Sequence, residues 1–287
     1  MPDIVLNPVQ PYSLAQSAHG SNPSRRLRDG VLELVFAIDD NAHAARVWQR
    51  PDGTVVVRTD EPACARTLTH LRFVLAIDDD HRPFLEIAQD DPLLGDLVSA
   101  RRGLRPIRTS TVAHALLQAV AGQLITAREA RAIEHRVVAL TSRRHGDLWL
   151  PPTCAGLRTL SAAQLVRTGL AARRAGALAR VVRTFDVERL RGVTTAQAVA
   201  RIQREPTLGP WSAGVIALHG LGRYEHGLVG DLGLIRLCSN LQGRTATADD
   251  TAALLARYGE WAGLAGLHLM RHPLARRRTL GSDDLAA

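Results

Sequence analysis

The first hundred residues alternate apolar and polar positions in short stretches. Val31–Ile38 and residues 54–58 follow this two-residue period, and the pair Asp52-Gly53 is typical of a tight hairpin turn. The apolar run at 73–77 predicts a further extended segment, and Asp91-Pro92 predicts the start of a helix through residue 100. The pattern therefore predicts an antiparallel sheet with some helix.

After Gly103-Leu-Arg-Pro106 the apolar positions recur at helical spacing instead. Ser110-Thr111 is a plausible cap for the first of these helices. The predicted helices are Val112–Ala121, 126–143, Ala162–Arg167, Ala172–Thr184 and 195–204. We predict an α+β fold in which an N-terminal antiparallel sheet domain (1–105) precedes an all-α region (106–287).

Composition narrows the class of protein. The 287 residues are 46% hydrophobic, enough for a packed core, and no run of eighteen apolar residues occurs. Asp3 and Pro8 interrupt the N-terminal stretch where a secretory signal would be apolar, so we expect a cytoplasmic protein with no membrane association. Its three cysteines lie far apart in sequence, which disfavours a metal centre, an iron–sulfur cluster and a disulfide framework.

Charge divides the chain unequally. Residues 1–105 carry 12 Arg and 15 Asp plus Glu, a net charge of −3, whereas residues 106–287 carry 24 and 13, a net charge of +11. A basic half is typical of a protein that binds nucleic acid, because cationic side chains neutralise phosphates. A solvated basic surface in an arginine-rich protein is the alternative interpretation.

The 36 basic residues are all arginine, and the sequence contains no lysine. An arginine guanidinium stays protonated and cannot act as a nucleophilic amine. Chemistry that forms a Schiff base on a side chain is therefore excluded, and only the chain's amino terminus could provide an amine.

Two short segments in the basic half suggest specific chemistry. Residues 205–213, with Gly209-Pro210 at their turn, predict a hairpin between two helices, whose amides at a helix start can bind phosphate. An ordinary structural turn would have the same residues. Asp231 follows Gly209 by twenty-two residues, and by itself it could be no more than a helix N-cap.

The hairpin Leu-Gly-Pro-Trp-Ser-Ala and the segment Val-Gly-Asp-Leu-Gly-Leu resemble the helix-hairpin-helix DNA glycosylase superfamily, specifically the DNA-3-methyladenine glycosylase II family. Residues 121–126 resemble the family's segment before a long helix, and 170–178 resemble its basic helix start. Asp91-Pro92 with Gly103-Leu-Arg105 resembles the link from its N-terminal domain. The likeness extends from Asp91 to Trp261, and the N-terminal sheet matches only in pattern.

The resemblance implies roles for individual residues. Asp231 would be the catalytic carboxylate that stabilises positive charge on the sugar and orients water. Leu124 would be the wedge that fills the gap left by a flipped base, although a core leucine is the alternative. Trp211 would be a wall of the base pocket, although it could instead only pack the helix start.

Other residues would bind the DNA backbone by the same resemblance: Thr207, Gly209, Ser212, Arg174 and Arg223. For the two arginines, simple solvation is the alternative. Thr207 replaces a common glycine, which would strain a backbone that needs positive φ. Val215 and Met270 stand where some members carry pocket aromatics, which puts the substrate range in question. The hairpin carbonyls could hold a monovalent cation.

The resulting hypothesis is a monofunctional DNA glycosylase that excises damaged bases, alkylated ones in particular, from double-stranded DNA in base excision repair. Related enzymes with a coupled lyase step use a lysine, and many carry an iron–sulfur cluster. We expect a monomer with no metal and no organic cofactor. The rival hypotheses are a noncatalytic helix-hairpin-helix DNA-binding protein and a helical protein-interaction module.

Overall fold

The computed structural model describes residues 3–18, 20–38 and 41–277. Five strands form one antiparallel sheet, in the spatial order β1-β5-β4-β3-β2. They are β1 (Ile4–Leu6), β2 (Arg25–Arg28), β3 (Val31–Ile38), β4 (Asn41–Gln49) and β5 (Val55–Thr59). The two strands predicted from alternation, Val31–Ile38 and 54–58, are confirmed, the second displaced by one residue.

Four short helices complete the described part of the N-terminal region: α1 (Leu14–Ser17), α2 (Ala65–Val74), α3 (Arg82–Gln89) and α4 (Gly95–Ser99). The extended segment predicted at 73–77 is wrong, because α2 covers its first two residues and a turn follows with Ala76 at φ +54°. Residues 74–77 are buried. A short apolar run that is buried on all sides has no period, so its pattern cannot separate helix from strand.

The helix predicted from Asp91 begins later than expected. Asp91 caps a turn, where its carboxylate accepts hydrogen bonds from the amides of Leu93 and Leu94, and α4 starts only at Gly95. The prediction for 91–100 is therefore confirmed in its second half only.

The rest of the described chain is mostly helical. The helices are α5 (Val112–Ala121), α6 (Ala127–Thr141), α7 (Cys154–Arg158), α8 (Ala162–Arg167), α9 (Ala172–Thr184), α10 (Thr195–Ile202), α11 (Pro210–Val215), α12 (Leu232–Gln242), α13 (Ala248–Ala256), α14 (Ala262–Leu269) and α15 (Pro273–Arg276). A π-helix (Ile216–Leu221) continues α11, and Val187–Gly192 and Gly259–Trp261 are 3₁₀ turns. The small hairpin of β6 (Arg144–His145) and β7 (Leu148–Trp149) corrects the expectation of an all-α region.

Capping side chains explain where helices α5 and α6 begin. The Thr111 hydroxyl accepts from the amide of His114 and starts α5, and Thr126 forms a capping box with Glu129 at the start of α6. Five residues separate the two helices. The segment 122–126 is thus a short connection with a fixed helix at each end.

Two large hydrophobic clusters fill the interior. One lies under the sheet and includes Phe36, Val47 and Leu71, and the other lies among the helices and includes Leu116, Leu178 and Leu234. Helices α3 and α4, which precede residue 105, contribute Phe84 and Val98 to the helical cluster. A division of the chain at 105–106 stays a prediction.

His268 lies inside the helical core, 1% exposed, with its ring 5.6 Å from that of Phe84. Burial lowers the pKa of His268 from 6.5 to about 3. Below pH 6.5 the unfolded chain therefore binds a proton that the folded chain does not bind, so stability falls as the pH drops towards 3. Between pH 7 and pH 5 we expect His268 alone to cost about 2 kcal/mol of unfolding free energy.

Urea denaturation at pH 7 and pH 5 tests this expectation with His268→Leu, which replaces the imidazole by an apolar side chain of similar size that cannot titrate. The wild type should lose more stability than the variant over this range. Equal losses in the two proteins would show that His268 is not the group responsible.

Candidate active site around a helical hairpin

Helices α10 and α11 form a hairpin around residues 203–209. Gly209 precedes α11, Pro210 occupies its first position, and the amide of Ala213 makes the first bond to the carbonyl of Gly209, at 3.1 Å. As at any helix start, the preceding amides have no intrahelical acceptor, which leaves those of Trp211 and Ser212 for other partners. The predicted connection between two helices is present.

A carboxylate braces the turn of the hairpin. Glu205 binds Arg180 of α9 through two contacts, 2.7 and 3.1 Å, and it also accepts from the hydroxyl of Thr207 at 3.2 Å. The bond from Arg180 lowers the pKa of Glu205. Among the described residues, positive φ outside glycine occurs at Asp29, Ala76 and Leu124. The strain predicted at Thr207 therefore does not arise.

Close packing sets the position of α11. A Cβ added at Gly214 would lie 2.4 Å from the carbonyl oxygen of Gly227, so the helix and the segment leading to Asp231 touch through their backbones. Only glycine permits this approach. As a result, the start of α11 and the start of α12 lie side by side.

Asp231 is the N-cap of α12, as its alternative interpretation required. Its Oδ1 accepts from the amides of Gly233 (2.7 Å) and Leu234 (3.4 Å). Its Oδ2 accepts from the indole Nε1 of Trp211 at 3.1 Å. The carboxylate is partly exposed, and its three donors are neutral N–H groups. A capping role thus accounts for one oxygen, while the other joins Asp231 to Trp211.

The segment 122–124 lies against the same indole. A Cβ added at Gly122 would come within 2.9 Å of Cη2 of Trp211, so the backbone packs directly on the ring. The side chain of Gln123 then donates to the carbonyl of Thr207 (2.9 Å) and to the hydroxyl of Ser212 (3.0 Å). Leu124 follows with φ +52° and is 78% exposed. A core leucine, the alternative interpretation, does not fit this exposure.

The other predicted DNA-binding residues lie in three places. Thr207, Gly209 and Ser212 all belong to the hairpin, although the Ser212 side chain is only 2% exposed and faces Gln123. Arg174 lies in α9, half-buried, and burial lowers its pKa. Arg223 lies elsewhere, where it donates to the carbonyl of Arg191 at 3.0 Å. The hydrogen bonds of Arg223 go to the carbonyls of Arg191 and Ala217 and not to residues 203–209, so they do not bring it to the hairpin.

Comparison with solved structures places this arrangement in a known fold. A 3-methyladenine DNA glycosylase from Archaeoglobus fulgidus superposes with a TM-score of 0.80, at 19% identity, over 94% of this chain and 97% of its own. An 8-oxoguanine glycosylase/lyase from Clostridium acetobutylicum, in complex with double-stranded DNA, superposes with a TM-score of 0.73, at 14% identity, over 90% of each chain. The fold is that of the helix-hairpin-helix DNA glycosylases.

A curated relative from Mycobacterium tuberculosis supports the same resemblance to the helix-hairpin-helix glycosylases. It is described as a probable bifunctional transcriptional activator/DNA repair enzyme AlkA and is 29% identical over 258 residues, which are 86% of this chain. The match covers 52% of the relative, so the chain spans about half the length of the curated proteins that it matches. No family model matches the chain.

A buried polar network behind the site of this helix-hairpin-helix fold was missed by sequence reasoning. Glu134 of α6 accepts from His114 (2.6 Å) and Gln118 (2.9 Å) of α5. Burial acts to raise the pKa of Glu134. The hydrogen bonds from His114 and Gln118 lower it by more than burial raises it, so the net shift is downward. The network joins the two helices on either side of segment 122–126.

Neither a metal-ligating cluster nor a membrane span is found within the ranges that the structure describes. No group of three or more His, Cys, Asp or Glu side chains is arranged to hold a metal ion there. No helix in those ranges is long and apolar enough to cross a lipid bilayer.

Proposed function

We propose that this protein is a DNA glycosylase that hydrolyses the N-glycosidic bond of damaged, alkylated bases in base excision repair. The observation that carries the proposal is the bond between the Trp211 indole and the Asp231 carboxylate, beside a strained, exposed Leu124. A stacking surface, an anion and an apolar wedge are the three elements that base flipping and excision require. The fold and the curated relative support the same function.

The chemistry follows from the position of the anion. As the bond between C1′ and the base nitrogen breaks, its electron pair leaves with the base and positive charge develops on the sugar. A fixed carboxylate stabilises that charge strongly where water is scarce. Water then bonds to C1′, with Asp231 orienting it and accepting its proton. The amides of Gly233 and Leu234 hold the carboxylate in one orientation throughout.

Base recognition rests on one aromatic wall. An alkylated purine is electron-poor and stacks favourably on an indole, so Trp211 is suited to such a base. Met270 lies near Asp231, since a Cβ at Gly233 would be 3.0 Å from Oδ1 of Asp231 and 3.8 Å from Cγ of Met270. A pliable thioether adapts to several base shapes. We therefore expect a range of alkylated bases to be excised.

Binding of the DNA backbone is assigned to the hairpin. Amides at the start of α11 would contact phosphate near Gly209, and Arg174 would add a charge contact. The carbonyls of Ile202, Glu205 and Thr207 each accept one hydrogen bond already, from Glu205, Leu208 and Gln123 respectively. Each carbonyl keeps a second lone pair, so a monovalent cation bridging to phosphate is compatible with the hairpin.

We propose that the enzyme is monomeric and lacks lyase activity. The Clostridium structural neighbour is named a glycosylase/lyase. This sequence contains no lysine, so no side-chain amine can form a Schiff base with the abasic sugar. The product should be an intact abasic site in unbroken DNA.

Release of free base from duplexes that carry single alkylated purines tests the proposal. We expect base release with strand breakage only after alkali treatment, and no covalent adduct on borohydride reduction. Tight DNA binding without release from a broad panel of lesions would favour the noncatalytic DNA-binding protein. Borohydride trapping would show that the amino terminus supplies a lyase.

Gly122→Ala tests the contact between the wedge segment and the indole. The added methyl would press on Trp211, so we expect base release to slow by about tenfold or more, since small misplacements near a reacting centre have large effects. Single-turnover kinetics at saturating protein measures the change. Gly192→Ala is the matched control, because no atom lies within 4 Å of its Cβ position. Unchanged release in Gly122→Ala would contradict a role for this contact.

A further inference from the structure

Gln123 connects the predicted wedge to the hairpin. We propose that Gln123 is a positioning residue that holds Leu124 at a fixed place relative to the hairpin, so that backbone binding and wedge insertion act together. The inference rests on the proposed function and deepens it. It concerns a side chain whose hydrogen bonds go to the hairpin.

The bonds of Gln123 reach two parts of the hairpin at once. Its amide nitrogen has two hydrogens, and it donates at 2.9 Å to the carbonyl of Thr207 and at 3.0 Å to the hydroxyl of Ser212. Thr207 belongs to the turn, and Ser212 belongs to the first turn of α11. One side chain therefore fixes segment 122–124 to both sides of the proposed phosphate site.

Leu124 needs such support because its backbone is strained. At φ +52° a leucine is in the left-handed region, which side chains other than glycine rarely adopt. A strained residue persists only where its surroundings hold it. Gly122 packs on Trp211 before it, and the capping box of Thr126 and Glu129 follows it. Gln123 supplies the remaining restraint, on the side of the hairpin.

Base release from lesions that are paired strongly or weakly can distinguish a positioning role of Gln123 from a general structural role. A wedge contributes most when the lesion is stacked and paired, and least when the partner strand holds no base opposite it. Loss of positioning should therefore slow release from a paired lesion selectively. A folding defect would slow base release equally, whether or not a base lies opposite the lesion.

Gln123→Met removes both donors and keeps the length of the side chain. With a lesion opposite its normal partner, we expect single-turnover base release to slow by about tenfold, and with the same lesion opposite an abasic analogue by less than about twofold. Gln89→Met, at an exposed glutamine in α3, is the matched control and should match wild type on both duplexes. Leu124→Ala should show the same selectivity, and the double variant should add little to it.

A second readout does not depend on catalysis. 2-Aminopurine placed beside the lesion reports unstacking by its fluorescence when protein binds, and we expect a lower signal with Gln123→Met than with wild type. If wild type unstacks the duplex but releases no base, the proposed function fails and this fluorescence alone decides the inference. Equal slowing on both duplexes, equal fluorescence in wild type and variant, or no unstacking by wild type would each overturn it.

Discussion

Asp231→Asn is expected to lower the single-turnover rate of base release by about 10²–10³-fold and to leave DNA affinity unchanged. Removal of one preorganised electrostatic group from an active site has an effect of this size. Asparagine removes the negative charge that would face the sugar. One carboxylate oxygen of Asp231 accepts a hydrogen bond from the indole of Trp211 and the other accepts from amides of α12. Asparagine would place an NH₂ group in one of these two positions, where it cannot accept.

The asparagine substitution is preferable to alanine because Asp231 also caps α12. Asparagine is as good an N-cap as aspartate, whereas alanine would cost about 1 kcal/mol of stability. Asp249→Asn, at an exposed carboxylate in the first turn of α13, is the matched control and should retain wild-type activity. Equal rates of release from wild type and Asp231→Asn at matched DNA occupancy would remove Asp231 from the mechanism.

Glu134→Ala is expected to lower the free energy of unfolding by about 2–4 kcal/mol, because removal of the buried carboxylate leaves the donors of His114 and Gln118 without an acceptor. Glu134 is 4% exposed and His114 is 1% exposed, so the donors that lose the carboxylate have little contact with bulk water. Urea denaturation at pH 7 measures the change. For a domain of ordinary stability this is a large share of the total.

Glu134→Gln separates the loss of charge from the loss of the hydrogen bonds. Its amide oxygen can still accept from Gln118 or His114, so we expect it to recover part of the stability that alanine loses. Glu86→Ala, at an exposed carboxylate of α3, should change stability by less than about 0.5 kcal/mol. A loss below about 1 kcal/mol in Glu134→Ala would mean that the network contributes little to folding.

Local signals explain how much of the fold could be predicted. Helix α5 was predicted with both of its ends, because Thr111 caps it and the apolar positions keep a helical period up to Gly122. The run 73–77 was mistaken for a strand because burial on all sides removes the period. The hairpin β6–β7 has strands of two residues each, too short for alternation to appear.

Contacts between distant parts of the chain could not be predicted in this way. Gln123 meets Thr207 across 84 positions and Glu134 meets His114 across 20, and neither pairing leaves a periodic trace. Thr207 was expected to be strained because a glycine is common there in the resembled family, yet its φ is not positive. The resemblance located Asp231, Trp211 and Leu124, but the bond between the first two emerged only from the structure.

Under the proposed function, the left-handed backbone of Leu124 also bears on how fast the protein would search DNA. Contacts on both sides of Leu124 already hold its unfavourable conformation, so under the proposed function no loop would have to become ordered at each encounter with a base step. A repair enzyme meets a vast excess of intact base pairs for every damaged one. A probe that is rigid before contact can test each of them in a brief collision and move on, and only a weakened pair yields to it.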